Sequence, residues 1–248
     1  MLVAVLALVA GVFIGAIGIG GIILVSGLIY AAGLKAQAAI AVCMMGYLLS
    51  GVVGTWQYAR ANSINWSTAI WLCLGAMPAA LAGAWVANNV PSAPLEFAIG
   101  LLTAGAGLHA LRDTRPEADA MRTLDPLPLG VIGAVTGFGS AVTGTGGPLI
   151  LVPLLLWLRF QVLTAIGLSQ TIQIPIAALA TAGNLYYGAI DLMLGSVVAV
   201  ALAAGSWIGA RIAHRLPRAT LRKLVAGVLA LVGGMIVLRI ARAALIGA

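Results

Sequence analysis

Carboxylates are scarce in this chain. Six Asp and Glu stand among 248 residues, and four of them, Asp113, Glu117, Asp119 and Asp125, share one short stretch. Glu96 and Asp191 stand where apolar segments begin, so no acid lies in the interior of an apolar run. Intramembrane carboxylates are the usual proton relays and cation sites, and their absence argues against a carboxylate-based antiporter or a divalent-cation pathway. Histidine is as sparse, with His109 and His214 near segment ends. An intramembrane hydrolase needs a buried acid/base pair or a nucleophile with a partner base. Neither is visible, so no enzyme, metal or cofactor is expected. The two cysteines, Cys43 and Cys73, lie in apolar runs without metal-type spacing and read as small buried hydrophobes, not as a disulfide framework. Cys43-Met44-Met45 offers soft ligands, but adjacent helix residues do not converge on one ion. Charge of either sign is short as well. Charged residues make up 8% of the chain, against roughly a quarter in soluble domains.

What fills the chain is apolar: 62% hydrophobic residues and a mean hydropathy of +1.12. Such a surface belongs in a lipid bilayer. The net charge of +7 would suggest nucleic acid in a soluble protein, but here the basic residues cluster at segment ends. Arg112, Arg115 and Arg122 form one group; Arg211, Arg215, Arg218, Arg222 and Lys223 form another. That is the pattern of cytoplasmic flanks under the positive-inside rule, and no nucleic-acid partner is expected. Met1-Leu2-Val3-Ala4 carries no charged n-region, so the first segment is read as retained and not as a cleaved signal.

Apolar runs cover 1–17, 20–33, 36–59, 66–87 and 95–111, then 127–143, 146–158, 162–187, 190–213 and 218–239. Between the two sets lies the one hydrophilic stretch. The domain map is therefore a first transmembrane repeat (1–111), a charged linker (112–126) and a second repeat (127–248). A shift of 126 residues superposes the halves without a gap. Gly11, Gly18, Gly20 and Gly21 fall on Gly137, Gly144, Gly146 and Gly147. Gly83-Ala84, Ala87, Pro91, Ala93 and Leu95 fall on Gly209-Ala210, Ala213, Pro217, Ala219 and Leu221. The charges do not repeat, since window 85–97 holds no Lys or Arg and its counterpart 211–223 holds five. Equivalent loops then lie on opposite faces. The fold expected is an all-α polytopic membrane protein of two inverted structural repeats. Each repeat has about five membrane segments, ten in total, or eight if the glycine-split arms are merged or re-entrant. Arg239 and Arg242 would fall on the outer face, against the positive-inside expectation.

Two glycine-dense breaks, Gly18-Ile19-Gly20-Gly21 and Gly144-Thr145-Gly146-Gly147-Pro148, interrupt apolar runs at equivalent positions. In hydrocarbon, uncovered peptide groups are tolerated only where protein or a cavity satisfies them. Paired breaks of this kind point to the substrate site of a transporter. A helix starting after such a break aims free N–H groups and its positive dipole end at the gap, which suits an oxyanion. Thr143 and Thr145 add hydroxyls at the second break, where the first has Ile17 and Ile19. The alternative is that the glycines only let helices approach closely. A second constellation is Ser169-Gln170-Thr171-Ile172-Gln173, followed by Pro175. Gln170 and Gln173, three apart, share one helix face, which has to look into protein or a cavity. It serves either as a substrate contact or as interhelical glue. Trp56, Trp66, Trp71, Tyr58, Tyr186 and Tyr187 sit mostly near segment ends and read as an aromatic belt. Faces rich in small residues, such as Gly100, Gly105 and Gly107, suit packing within the chain or a homodimer.

The N-terminal GxGG break, its echo GxGGPLILVP at residues 144–153, and the central charged linker resemble the sulfite exporter TauE/SafE family over essentially the whole chain. Ile22 stands where the second copy has Pro148, so the first copy departs from the fuller motif. The resemblance implies a multi-pass permease of the bacterial inner membrane for small sulfur-containing anions such as sulfite, sulfoacetate or related sulfonates. The anion would be held by Gly18, Gly20, Gly21, Thr143, Gly144, Thr145, Gly146, Gly147, Ser169, Gln170 and Gln173. An anion channel, or a carrier of a non-sulfur organic anion, shares the same chemistry and remains open.

Overall fold

The computed structural model describes residues 1–87, 93–112, 124–186 and 191–246; most of the 112–126 linker and the Asn88-Asn89 and Tyr187-Gly188 turns lie outside them. Ten helices follow one another: α1 (Leu2–Ile17), α2 (Gly21–Tyr30), α3 (Ala36–Arg60), α4 (Trp66–Ala87), α5 (Ala93–Arg112), α6 (Pro126–Thr143), α7 (Pro148–Trp157), α8 (Val162–Tyr186), α9 (Leu192–Arg215) and α10 (Arg218–Ile246). No strand occurs among the described residues. Six helices, α3, α4, α6, α8, α9 and α10, are long and apolar enough to cross a membrane. Their outer faces expose Ile70, Leu74 and Leu81 on α4 and Leu231, Met235 and Leu238 on α10, side chains that lipid solvates. The chain is an all-α, multi-pass membrane protein.

The split arms are shorter than the apolar runs suggest. α2 and α7 have ten residues each, a rise of ~15 Å against ~30 Å of hydrocarbon. The run 20–33 stops being helical at Ala31 because the chain turns through Gly33, at φ +69°. Arg159 occupies the equivalent place, 126 residues on, at φ +62°. α2 folds back along α1: a methyl on Gly20 would lie 2.7 Å from Ile14 Cγ1, and one on Gly27 3.3 Å from Leu6 Cδ1. α7 folds back along α6, with Ile150 reaching Gly139.

Residues 126 apart make the same contacts twice. Gly209 packs on the Val12 carbonyl of α1, and Gly83 packs on the Phe138 carbonyl of α6. Gly11 meets the Leu202 carbonyl of α9, and Gly137 meets the Ala76 carbonyl of α4. Each half thus lends its first helix to the fourth helix of the other, and glycines at the crossings let backbone touch backbone, as small residues do in membranes. The equivalent helices α3 and α8 run antiparallel, since Tyr47 meets Gln173 while Tyr58 meets Gly167. α5 and α10 do the same, with Gly100 against Ile236 and Gly107 against Ala230.

These directions sort the basic residues. α3 and α9 run together, with Gly46 near Val198 and Gln57 donating to the Trp207 carbonyl. Arg60, Arg112, Arg159, Arg211, Arg215, Arg218, Arg222 and Lys223 therefore share one face of the molecule, whereas Lys35, Arg239 and Arg242 lie at the other.

Candidate functional site

The two hairpin tips meet inside the protein. α1 and α6 end in the same way, at left-handed glycines Gly18 (φ +76°) and Gly144 (φ +68°), whose amides bond the Ile14 and Ser140 carbonyls at 2.9 Å. An L-residue at such a φ costs about 1–2 kcal/mol, so glycine is the residue that turns the chain here. A methyl on Gly18 would lie 2.8 Å from Val152 Cγ2 of α7, and one on Gly21 only 2.7 Å from the Thr145 carbonyl oxygen. Space at the junction is filled to the atom, and a side chain at either glycine would drive the tips apart.

α2 then starts after Gly20 and α7 after Gly147, and neither N-terminus receives a side-chain cap. The first amides of a helix have no intrahelical acceptor, and leaving such groups unpaired in a buried place costs about 1–3 kcal/mol each. The second helix begins directly after Gly146-Gly147, as the glycine pattern suggests. Pro148 occupies its first position and has no N–H to give, and Ile150 and Leu151 both bond the Gly147 carbonyl at 3.1 Å. Thr145 and Leu149 on either side of this turn line the cavity described below. Gly147, at φ +98°, and Gly146, at φ +81°, hold a backbone that other residues resist.

α3 lies over both tips. The Tyr47 hydroxyl donates to the Gly21 carbonyl at 3.1 Å, and a methyl on Gly146 would lie 2.9 Å from its ring. Ile40, about two turns earlier, covers Gly144. Thr143 Oγ1 donates to the Gly139 carbonyl at 2.7 Å and stands 2.9 Å from Thr145 Oγ1. On α8, Ser169 Oγ lies 3.3 Å from where a Gly18 methyl would be and donates to the Ile166 carbonyl at 2.7 Å. Gln170 Nε2 donates to the Ile14 carbonyl at 2.7 Å, the same oxygen that caps α1. Its Oε1 is buried with no hydrogen-bond partner. Gln173 Nε2 donates to the Tyr47 carbonyl at 2.8 Å and to Ser50 Oγ at 3.0 Å. The glutamine pair thus ties α8 to α1 and α3, just behind the tips.

A cavity of about 280 Å³ opens on one side of this junction. Thr143, Thr145 and Leu149 form its inner end, Ile22, Val25 and Ser26 of α2 its wall, and Tyr30, Arg239 and Ile240 its outer end. Of the expected site residues it is Thr143 and Thr145 that line this cavity; Ser169, Gln170 and Gln173 are buried beside the tips and outside it. Gly18, Gly20, Gly21, Gly144, Gly146 and Gly147 form the junction itself. Sequence reasoning gave no role to Ser26, Tyr30 or Arg239. The available signal was Arg239, an arginine that breaks the charge pattern of its face. Among the described residues no group of three His, Cys, Asp or Glu could hold a metal ion.

A bundle of apolar helices with two half-length hairpins meeting at glycine tips defines a polytopic membrane protein of the transporter class. The family model for the sulfite exporter TauE/SafE matches residues 3–236, and the chain belongs to that family, a family of membrane transporters. It is 20% identical over 206 residues to a probable membrane transporter protein of Methanocaldococcus jannaschii, covering 79% of this chain and 77% of that one. It is 26% identical over 195 residues to a probable membrane transporter protein of Sinorhizobium fredii, covering 76% and 77%. No solved structure matches it.

Proposed function

We propose that this transporter moves a small sulfur-containing anion, such as sulfite, sulfoacetate or a related sulfonate, across a bacterial inner membrane by alternating access. The observation that carries the anion is the junction of two uncapped helix N-termini beside the cavity. Amides and dipoles there favour negative charge, the Thr143 and Thr145 hydroxyls add donors, and Asp and Glu are missing from the described lining. The family name carries the sulfur. Ser169, Gln170 and Gln173 complete the site as the tips part, by turning toward the solute the hydroxyl and Nε2 donors that hold backbone carbonyls in this state.

We read the two halves as inverted repeats that rock against one another, with the charged linker between them. The antiparallel course of α3 against α8 and of α5 against α10 supports this, because equivalent helices run oppositely only when the axis relating them is perpendicular to them.

The test is thermal stability of the detergent-purified protein against sulfite, sulfoacetate, taurine, sulfate, thiosulfate and acetate, followed by flux of the best binder into proteoliposomes. A ligand at a hundred times its Kd stabilises the native state by about 2.7 kcal/mol. The expected result is a rise in Tm confined to sulfur anions, lost in the Thr143→Val, Thr145→Val double variant. A rise with acetate alone would replace the sulfur reading, and a flat panel with no flux of any anion would overturn it.

A further inference from the structure

The cavity has a direction and a charge. Its inner end is the tip junction, and its outer end lies where α2 finishes and α10 approaches its last turns, near Tyr30 and Arg239. That is the face with Lys35, Arg239 and Arg242, opposite the face with eight basic residues among those described. Under the positive-inside rule the crowded face is cytoplasmic, so the cavity opens away from the cytoplasm. Within its described lining Arg239 carries the single charge. The arginine is exposed, and its Nη2 donates to the Tyr30 hydroxyl at 3.4 Å. An arginine on the minority face has no acid partner among the described residues; what it faces is a largely apolar passage leading to the Thr143 and Thr145 hydroxyls.

We propose that this cavity is the passage for the anion on the non-cytoplasmic side, with Arg239, steadied by Tyr30, as the residue that selects for negative charge at its mouth. This rests on the anion reading given above. Low-dielectric walls focus the field of such a charge and raise the local concentration of ions of opposite sign. A guanidinium suits the task because it stays charged at every working pH and presents planar donors that match sulfonate or sulfite oxygens. Tyr30 holds the side chain over the opening and leaves most of its donors for the solute.

The experiment uses charged thiol reagents in place of substrate. Cys43 and Cys73 are replaced by alanine, and Ser26→Cys places one thiol in the cavity wall. Membrane-impermeant methanethiosulfonates of either sign are added to right-side-out and to inside-out vesicles. With Arg239 present, the anionic reagent is expected to modify Ser26→Cys at least about fivefold faster than the cationic one, and from the non-cytoplasmic side. Arg239→Gln removes the preference and Arg239→Lys keeps it. Equal rates for both reagents with Arg239 intact, or modification from the cytoplasmic side alone, would overturn the proposal. Charge-selective labelling in a protein that moves none of the six test anions would leave the passage standing and defeat the substrate reading, so the two failures are told apart.

Discussion

At the scale of single residues the site is a set of carbonyls spoken for by side chains. Gln173 supplies its amide hydrogens to the Tyr47 carbonyl and Ser50, so Gln173→Leu strips two buried oxygens of a donor. The expected cost is about 1–3 kcal/mol, read as a lower Tm of purified protein with transport reduced in parallel. Gln170→Ala has a different expected signature. The Ile14 carbonyl keeps the Gly18 amide, so the folded protein survives in normal yield while anion flux is lost. A variant that transports normally would remove Gln170 from the site. The glutamine spacing was legible in the sequence because three residues in a helix fix a shared face. What the face meets was not, since an amide that bonds a neighbouring backbone looks the same in sequence as one that binds a solute. Arg239 shows the reverse. It stood out as a breach of the charge pattern, but its place at a cavity depends on α2 folding back, which no local pattern encodes.

At the scale of elements, glycine separates into two kinds that composition cannot distinguish. A methyl on Gly209 would strike the Val12 carbonyl, whereas one on Gly227, in α10, would meet nothing within 4 Å. Gly209→Ala is therefore expected to push α9 off α1 and cost several times more than the ~1 kcal/mol helix-propensity gain that alanine brings. Gly227→Ala should keep that gain and raise Tm slightly. Opposite signs in a thermal-unfolding assay check the pair, and equal signs would show that the α1–α9 crossing is looser than described. Helix limits other than the end of α10, which runs seven residues past the apolar run, were readable to within a few residues because αL glycines, Pro148 and the cap at Asp191 mark them locally; the Asp191 carboxylate accepts from the Met193 and Leu194 amides at 3.0 Å. The exchange of α1 and α6 between halves was not readable. Periodicity says that a face is buried and is silent on the partner.

At the scale of the whole molecule the eight-to-three division of the basic residues among the described ones gives a topology that labelling can test. In a background lacking Cys43 and Cys73, Lys35→Cys is expected to react with an impermeant maleimide in right-side-out vesicles, and Lys223→Cys only after the membrane is opened. The reverse pattern would invert the orientation and with it the side to which the cavity opens. The 126-residue offset of the glycines reappears in paired contacts, Gly11 on Leu202 and Gly137 on Ala76, because glycines at helix crossings recur wherever backbone must approach backbone. The bond from Gln173 to the Tyr47 carbonyl spans that same offset of 126 residues. A contact between equivalent positions sits on the axis relating the halves. Two identical polypeptides paired about such an axis must set like against like, tyrosine facing tyrosine or glutamine facing glutamine. Joining two unlike halves in one polypeptide lifts that restriction, so a glutamine amide can sit opposite a tyrosine backbone at that locus.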